Sequence, residues 1–442
     1  MSPLVAGILL VLAGITFALG RGPVGPTGRA ALVLALMAAL AIVLPPWVSI
    51  AAAVLLAALV VVDAALGRTK AQVQANVPRL LARAVPAELS VSVPTRHGAT
   101  PVIRQAPVPD VRVDPSVSHG RLRGTITALR RGRHVLPGAA ARVEGPLGLA
   151  AWRAQPSDDH ELTVFPDLPA ARRIAAAVRK DRVVSAGIRI KGPIGLGTEF
   201  DAIRDYQPDD DIRTVNWRAT ARVGRPMVNR YRVEQDRDII CLVDCGRLMG
   251  APVSGPGGVR TRLDAALDAV AAMAMVADAV GDRVGVVAFD NEIRRSLRPH
   301  RAGSDGVVHA IYDLEPSLHD SDFELAFRNV TSMKRGLVML FTDVVDEGAA
   351  RLILSALPIL AAKHMVVVAS LRDDDIQRIA HTVPCDAKAA YRMAAALDVL
   401  SERDLLMKQL QQRGAETVTE TLTRFSPACV RAYLFAKQRA KI

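Results

Sequence analysis

The chain has 442 residues, half of them hydrophobic and only 4% aromatic, and its 56 Lys and Arg outnumber 44 Asp and Glu for a net charge of +12. That length holds two folded domains or more. The hydrophobic excess lies at one end, so the basic balance fits an anionic membrane leaflet more simply than nucleic acid.

Residues 4–19 are apolar without a charge, and a Gly/Pro-rich stretch with Arg21 and Arg29 follows. A second apolar run covers 30–44, then Pro45 and Pro46, then a third covers 47–66. Proline ends helices, so the later two runs read as a helical hairpin. The expectation is a transmembrane region over 1–67, inserted in a lipid bilayer. The first two runs fall short of the roughly 20 residues of a spanning helix, which leaves two crossings open. Three crossings put Arg21 and Arg29 on the same side as Arg68, Lys70, Arg79 and Arg83, a side the positive-inside rule makes cytoplasmic. A cleaved signal peptide is the alternative for the first run, but no basic leader precedes it.

Over 78–169 short alternating runs, such as Leu89-Ser90-Val91-Ser92-Val93 and Leu162-Thr163-Val164, are punctuated by Pro and Gly. That rhythm predicts an all-β, sandwich-like domain. Its arginines, Arg121, Arg123, Arg130, Arg131 and Arg133, read as a solvated face or as contacts to lipid headgroups. No aromatic residues interleave with them to stack bases, which argues against nucleic acid.

Residues 170–236 form a connector dense in opposite charges. From 237 to 442 the pattern becomes short strand, long helix, short strand. The runs 239–243, 284–289, 337–342 and 365–369 lack polar alternation, as strands buried on both faces do. Leu263, Leu267, Val270, Ala274 and Ala277 recur at helical spacing, as do apolar positions in 347–363. Further helices are predicted near 386–413 and 425–439. This order implies a doubly wound, Rossmann-type α/β sheet.

Ligands of open α/β sheets sit beyond the carboxyl ends of the strands. Three of these runs end in Asp244, Asp290 and Asp343. Convergent carboxylates there are a candidate Mg²⁺ site, since that ion takes oxygen ligands. The alternative is that each aspartate caps the loop or helix after it. Of the cysteines, Cys241 and Cys245 lie four apart in a strand, about 13 Å, beyond disulfide reach. With Cys385 and Cys429 they form no CxxC and no zinc-type spacing. A reducing compartment is expected. Walker A, GxSxG and HExxH motifs are absent from the sequence, and no catalytic residue is assigned.

The run IICLVDCGRLM (239–249) resembles the first strand and metal-site loop of a von Willebrand factor A domain. Asp244 matches the first aspartate of its Asp-x-Ser-x-Ser pattern, and Asp343, in LFTDV, matches its last. Gly246 and Leu248 stand where the two serines belong, and Ser321 is the nearest candidate for the intermediate ligand. The resemblance therefore implies a degenerate metal site of Asp244, Ser321 and Asp343.

Residues 195–234, GLGTEFDAIRDYQPDDDIRTVNWRATARVGRPMVNRYRVE, closely resemble the signature of the bacterial family called domain of unknown function 58. The segments 130–153 and LTVFPDLP are similar to that family's β region. The resemblance implies N-terminal transmembrane helices in the bacterial cell membrane, a β-rich segment and a cytoplasmic, degenerate von Willebrand factor A-like domain. It also implies a MoxR-type AAA+ ATPase as partner, and hence a membrane-anchored adaptor or scaffold. Within the signature, Glu199, Arg204, Tyr206, Asp210, Arg213, Asn216, Trp217 and Arg222 are the candidates to bind a partner or to hold domain geometry. Asp210 or Asp211 suits the N-cap of a helix running toward Arg222. A rival reading makes carboxylates such as Glu199 and Asp210 the acid–base pair of an enzyme acting on envelope precursors.

Overall fold

The computed structural model of the chain describes residues 2–19, 24–67, 72–95, 98–185, 194–208, 210–232, 237–255, 258–343 and 347–438. The sequence expectations on Arg21, Arg68, Lys70 and Asp209 lie outside them, as does the side chain of Glu199. The fold is mixed α/β and divides into two compact units, residues 1–164 and 165–442.

In the first unit three apolar helices, Ser2–Leu19, Gly28–Leu40 and Pro46–Gly67, precede the β-domain. Among the described residues, one helix is long and apolar enough to cross a membrane, Pro46–Leu66, and only 11% of it is buried. The runs Pro3–Ala18 and Gly28–Leu40 are shorter apolar helices. The break at Pro45 is a hairpin, because the start of one helix and the end of the next meet the same loop. The backbone N–H of Thr27 donates to the Leu149 carbonyl at 2.8 Å. Asp63, fully buried near the end of the long helix, accepts from the backbone N–H groups of Leu147, Leu149 and Ala150 at 2.7, 2.7 and 2.8 Å. An aspartate in an apolar helix is costly unless its charge is met, and three aligned amides meet it. A Cβ on Gly145 would lie 2.4 Å from that carboxylate, so only glycine lets the loop come this close.

Among the described residues the β-domain holds three sheets. Five strands run in the order Val24–Pro26, Ala150–Arg153, Ala140–Glu144, Thr100–Arg104 and Val117–His119. The first of these belongs to the link between the first two helices, and Val24 pairs with Trp152. Four more run Gln74–Asn76, Ala87–Ser92, Leu122–Ala128 and Val111–Asp114, and three run Leu80–Ala82, His160–Phe165 and Gly132–Leu136. Leu89, Val91, Ile103, Leu122, Ile126, Val143 and Leu162 share one core. Arg121, Arg123, Arg130 and Arg133 are exposed, whereas Arg131 is buried.

The second unit is built on a six-stranded sheet ordered Ile293–His300, Arg283–Phe289, Asp238–Asp244, Leu337–Phe341, Met365–Leu371 and Ala415–Glu420. In chain order that is 3-2-1-4-5-6, with only the third strand antiparallel. Ile239, Cys241 and Val243 face a core closed by the helix Arg262–Val280 and, among others, Phe425, Cys429 and Tyr433. Ile240 and Leu242 face the opposite core, with Phe323, Phe327, Leu357 and Leu406. Burial on both faces is why these strands show no polar alternation. Burial pushes the thiol of Cys241 up to about 12, so it packs as an apolar side chain.

The helix Leu168–Ser185 belongs to this unit, since Phe165, Ala171 and Ala175 are buried in the first of its two cores. Two strands of this six-stranded sheet were not visible in the sequence, Ile293–His300 and Ala415–Glu420. Both are edge strands whose residues, IRRSLRPH and AETVTE, are polar because one side meets solvent.

Candidate functional site

The order of the sheet reverses between Asp238–Asp244 and Leu337–Phe341, which lie side by side with their carboxyl ends carrying Asp244, Thr342 and Asp343. Open α/β sheets bind ligands at this kind of switch point. The structure brings Ser321 to it. The backbone N–H groups of Ser317 and Arg247 donate to the carbonyls of Cys245 and His319 at 2.7 and 2.9 Å, fastening the 317–321 loop to the loop after the first strand. Ser321 Oγ then donates to Asp244 Oδ1 at 2.5 Å. Gly246 N–H donates to the same oxygen at 2.8 Å, and Thr342 Oγ1 donates to Oδ2 at 2.6 Å. A Cβ on Gly246 would stand 2.1 Å from Ser321 Oγ. The Ser321 hydroxyl thus occupies the volume that a side chain at 246 would need, and the two exclude each other. Burial pushes the Asp244 carboxyl above its ordinary value; its hydrogen bonds oppose this and the charge of Asp343 adds to it.

Asp343 is held by cations of the chain itself. Arg262 Nη1 lies 2.5 Å from its Oδ2, and Arg403 Nη2 donates to Oδ1 at 3.0 Å. Ser370 Oγ donates to Oδ1 at 3.2 Å. All three carriers of charge are nearly inaccessible to solvent. Asp290 is separately satisfied: Arg294 Nη1 meets its Oδ2 at 2.9 Å and Glu292 N–H its Oδ1 at 3.0 Å. The candidate metal residues Asp244, Ser321 and Asp343 therefore converge, but both oxygens of Asp244 accept hydrogen bonds, and Asp343 Oδ2, which accepts none, faces Arg262 in an ion pair. Mg²⁺ needs near-octahedral oxygens at about 2.0–2.1 Å. The donor set does not fit it, and among the described residues no cluster of three or more His, Cys, Asp or Glu is arranged to hold a metal. Sequence reasoning missed Arg262 and Arg403, since an arginine in a helix ordinarily reads as a surface residue.

The signature residues form a second feature. The strands Ile194–Asp205 and Met227–Arg232 pair antiparallel, with Glu199 opposite Arg232. Between them lie a 3₁₀ turn, Ile212–Thr214, and a short helix, Trp217–Val223. Arg204 grips Asp210 with both guanidinium nitrogens, one at 2.7 Å, and Gln207 N–H adds a bond at 2.8 Å. The hydrogen bond from Arg204, then that of Gln207, holds the Asp210 carboxyl below its usual range.

The expected cap is displaced. Asp211 caps the 3₁₀ turn, while the helix is capped by Asn216, whose Oδ1 accepts from Ala219 N–H at 3.0 Å. Asn216 Nδ2 donates to Asn229 Oδ1 at 2.8 Å, tying the cap to the second strand. Arg213 and Arg222 are exposed and Tyr206 is half-buried. Trp217 is 71% exposed and Ile212 68%. A frame closed by local bonds thus displays Trp217 and Ile212 to solvent.

The chain is therefore a mixed α/β protein with a doubly wound sheet, a β-domain and an apolar N-terminal helix long enough to cross a membrane. Residues 202–388 match the sequence model of the family described as "Protein of unknown function DUF58", which supports assigning that region to it. A search of curated proteins finds no match. Among solved structures, a cohesin module from a Clostridium perfringens family 33 glycoside hydrolase aligns at 12% identity with a TM-score of 0.16, covering 22% of this chain and 98% of that one. An uncharacterized membrane spanning protein from Vibrio fischeri aligns at 14% identity with a TM-score of 0.16, covering 46% of this chain and 98% of that one. Neither score supports reading a shared fold.

Proposed function

We propose that the protein is a membrane-anchored adaptor or scaffold that binds other proteins and works with a MoxR-type AAA+ ATPase in assembling complexes or maintaining the envelope. In this reading the N-terminal helices anchor it, its soluble parts face the cytoplasm, and the sheet is a degenerate von Willebrand factor A-like domain. The strand order and the carboxylates at its switch point support the fold assignment. The observation that carries the function is the signature frame: Arg204–Asp210 and Asn216–Asn229 fix a short segment from which Trp217 and Ile212 stand exposed. Exposed aromatic anchors on rigid supports, beside arginines, have the makeup of protein-binding hot spots. The acid–base rival gains nothing from this geometry, because both oxygens of Asp210 are committed to Arg204.

The test is in-cell crosslinking of tagged full-length protein followed by mass spectrometry, with Trp217→Ala beside wild type. Capture of an AAA+ ATPase that drops at least severalfold in a folded, normally abundant variant supports the adaptor. Equal capture by both removes Trp217 as the anchor, and no ATPase from either removes the partner assignment.

A further inference from the structure

We infer that Arg262 and Arg403 are the resident cations of the sheet's switch point, so that the Asp343 carboxylate is balanced from within the chain and the edge works without a divalent metal. The two guanidinium groups arrive from opposite layers. Arg262 opens the helix Arg262–Val280 on one face of the sheet, and Arg403 projects from Ala387–Gln412, whose Leu406 and Leu410 pack on the other. They converge on the two oxygens of Asp343, at 2.5 and 3.0 Å.

Each is held by further groups. Arg262 Nη2 lies 3.6 Å from Asp373 Oδ2, and Arg403 Nη2 donates to Ser370 Oγ and the Leu371 carbonyl, the former at 2.5 Å. A divalent ion on Asp343 would have to displace both guanidiniums, or sit within a few ångströms of them in a poorly screened interior. The space on the Arg262 side of Asp343 is small as well. The cavity beside Asp343 measures about 10 Å³ and is otherwise lined largely by apolar groups, including Met249, Phe341, Leu371 and Phe425. That is at or below the roughly 10–15 Å³ one water needs, whereas Mg²⁺ usually keeps several.

Asp244 is closed by a different device, the hydroxyls of Ser321 and Thr342 with the Gly246 amide. A partner meeting this edge therefore cannot complete the coordination sphere of a bridging ion, and any binding here is insensitive to chelators. The inference stands apart from the adaptor reading, since it concerns cations rather than partners.

The experiment is titration of chelator-stripped, full-length protein in nanodiscs with Mn²⁺ into the millimolar range, following free Mn²⁺ by electron paramagnetic resonance. The expected result is no saturable site that depends on Asp343. One Mn²⁺ per chain, lost in Asp343→Asn, overturns the inference. A second arm compares thermal midpoints of Arg403→Met and of Arg403→Met combined with Asp343→Asn. If the arginine balances charge, the single variant melts lower and the double variant recovers part of the loss. A double variant no more stable than the single overturns that role. Should neither variant fold, the wild-type titration decides alone.

Discussion

Replacing Asp63 by leucine would keep the apolar character of its helix while removing the acceptor for three backbone amides. The carboxylate receives Leu147, Leu149 and Ala150 N–H at 2.7, 2.7 and 2.8 Å. Hydrogen bonds to a charged group contribute about 1.5–3 kcal/mol each, and shared donors to one acceptor do not add in full. Loss of a buried charge with its partners left behind typically costs about 3–5 kcal/mol, and that range is the expectation here. The loss should appear first as local opening of the 145–150 loop. Hydrogen–deuterium exchange of full-length protein in nanodiscs, resolved to peptides over this loop, reads it directly. At about 1.4 kcal/mol per decade, the three amides should exchange at least 100-fold faster in Asp63→Leu. Asp63→Asn, which keeps one acceptor oxygen, should fall between. If these amides exchange freely in wild type, or equally in both proteins, the carboxylate does not hold the loop and the reasoning fails.

Gly145→Ala attacks the same contact from the other side, because its Cβ would meet the Asp63 carboxylate at 2.4 Å, and it should raise exchange over the same peptides. Gly246→Ser should cost about 1–3 kcal/mol by overpacking, and adding Ser321→Ala should return most of it in urea unfolding. Trp217→Ala should change the unfolding free energy by no more than about 0.5 kcal/mol, since the side chain is exposed, while weakening partner capture. Burial raises the Asp244 carboxyl, so the folded chain keeps a proton that the unfolded chain releases; this contribution is full below the ordinary carboxylate value and is lost as pH rises through the folded-state value. Asp244→Asn should remove that slope from a plot of thermal midpoint against pH. Burial holds the His364 ring below its usual 6.5, so its contribution is present above 6.5 and lost as pH falls toward the folded-state value, a slope that His364→Gln should abolish.

The parallel sheet was legible because burial on both faces leaves an unbroken aliphatic run, as in IICLV and LVMLF, and because Leu263, Leu267 and Val270 keep a helical period between such runs. The two polar edge strands were not, since half of each meets water and its composition records that rather than its pairing. Asp244 and Asp343 could be placed near one another from the ends of their runs, and Ser321 only from the family resemblance. What neutralises them could not. Arg403 lies 60 residues beyond Asp343, in a helix whose charged residues are mostly at the surface, and only the folded packing turns it inward. The helix cap at Asn216 was missed for a local reason. Three consecutive aspartates precede it, and the sequence does not say that Asp210 is taken by Arg204.

The glycine at 246, the Ser321 hydroxyl beside it and the enclosure of Asp343 by arginines are linked by geometry. A hydroxyl carried on the 244–249 loop would belong to the same short segment as the first aspartate and could remain in place whether or not an ion was present. Ser321 instead arrives on a loop held to Cys245 and Arg247 by backbone hydrogen bonds, and its Oγ fills the volume that a side chain at 246 would need. Its hydroxyl is spent on Asp244. The charge of Asp343 is met by groups that reach it from the flanking helices. Arg262 and Arg403 do so by joining both helical layers to the strand end. The edge is thereby fastened in one arrangement by contacts internal to the fold.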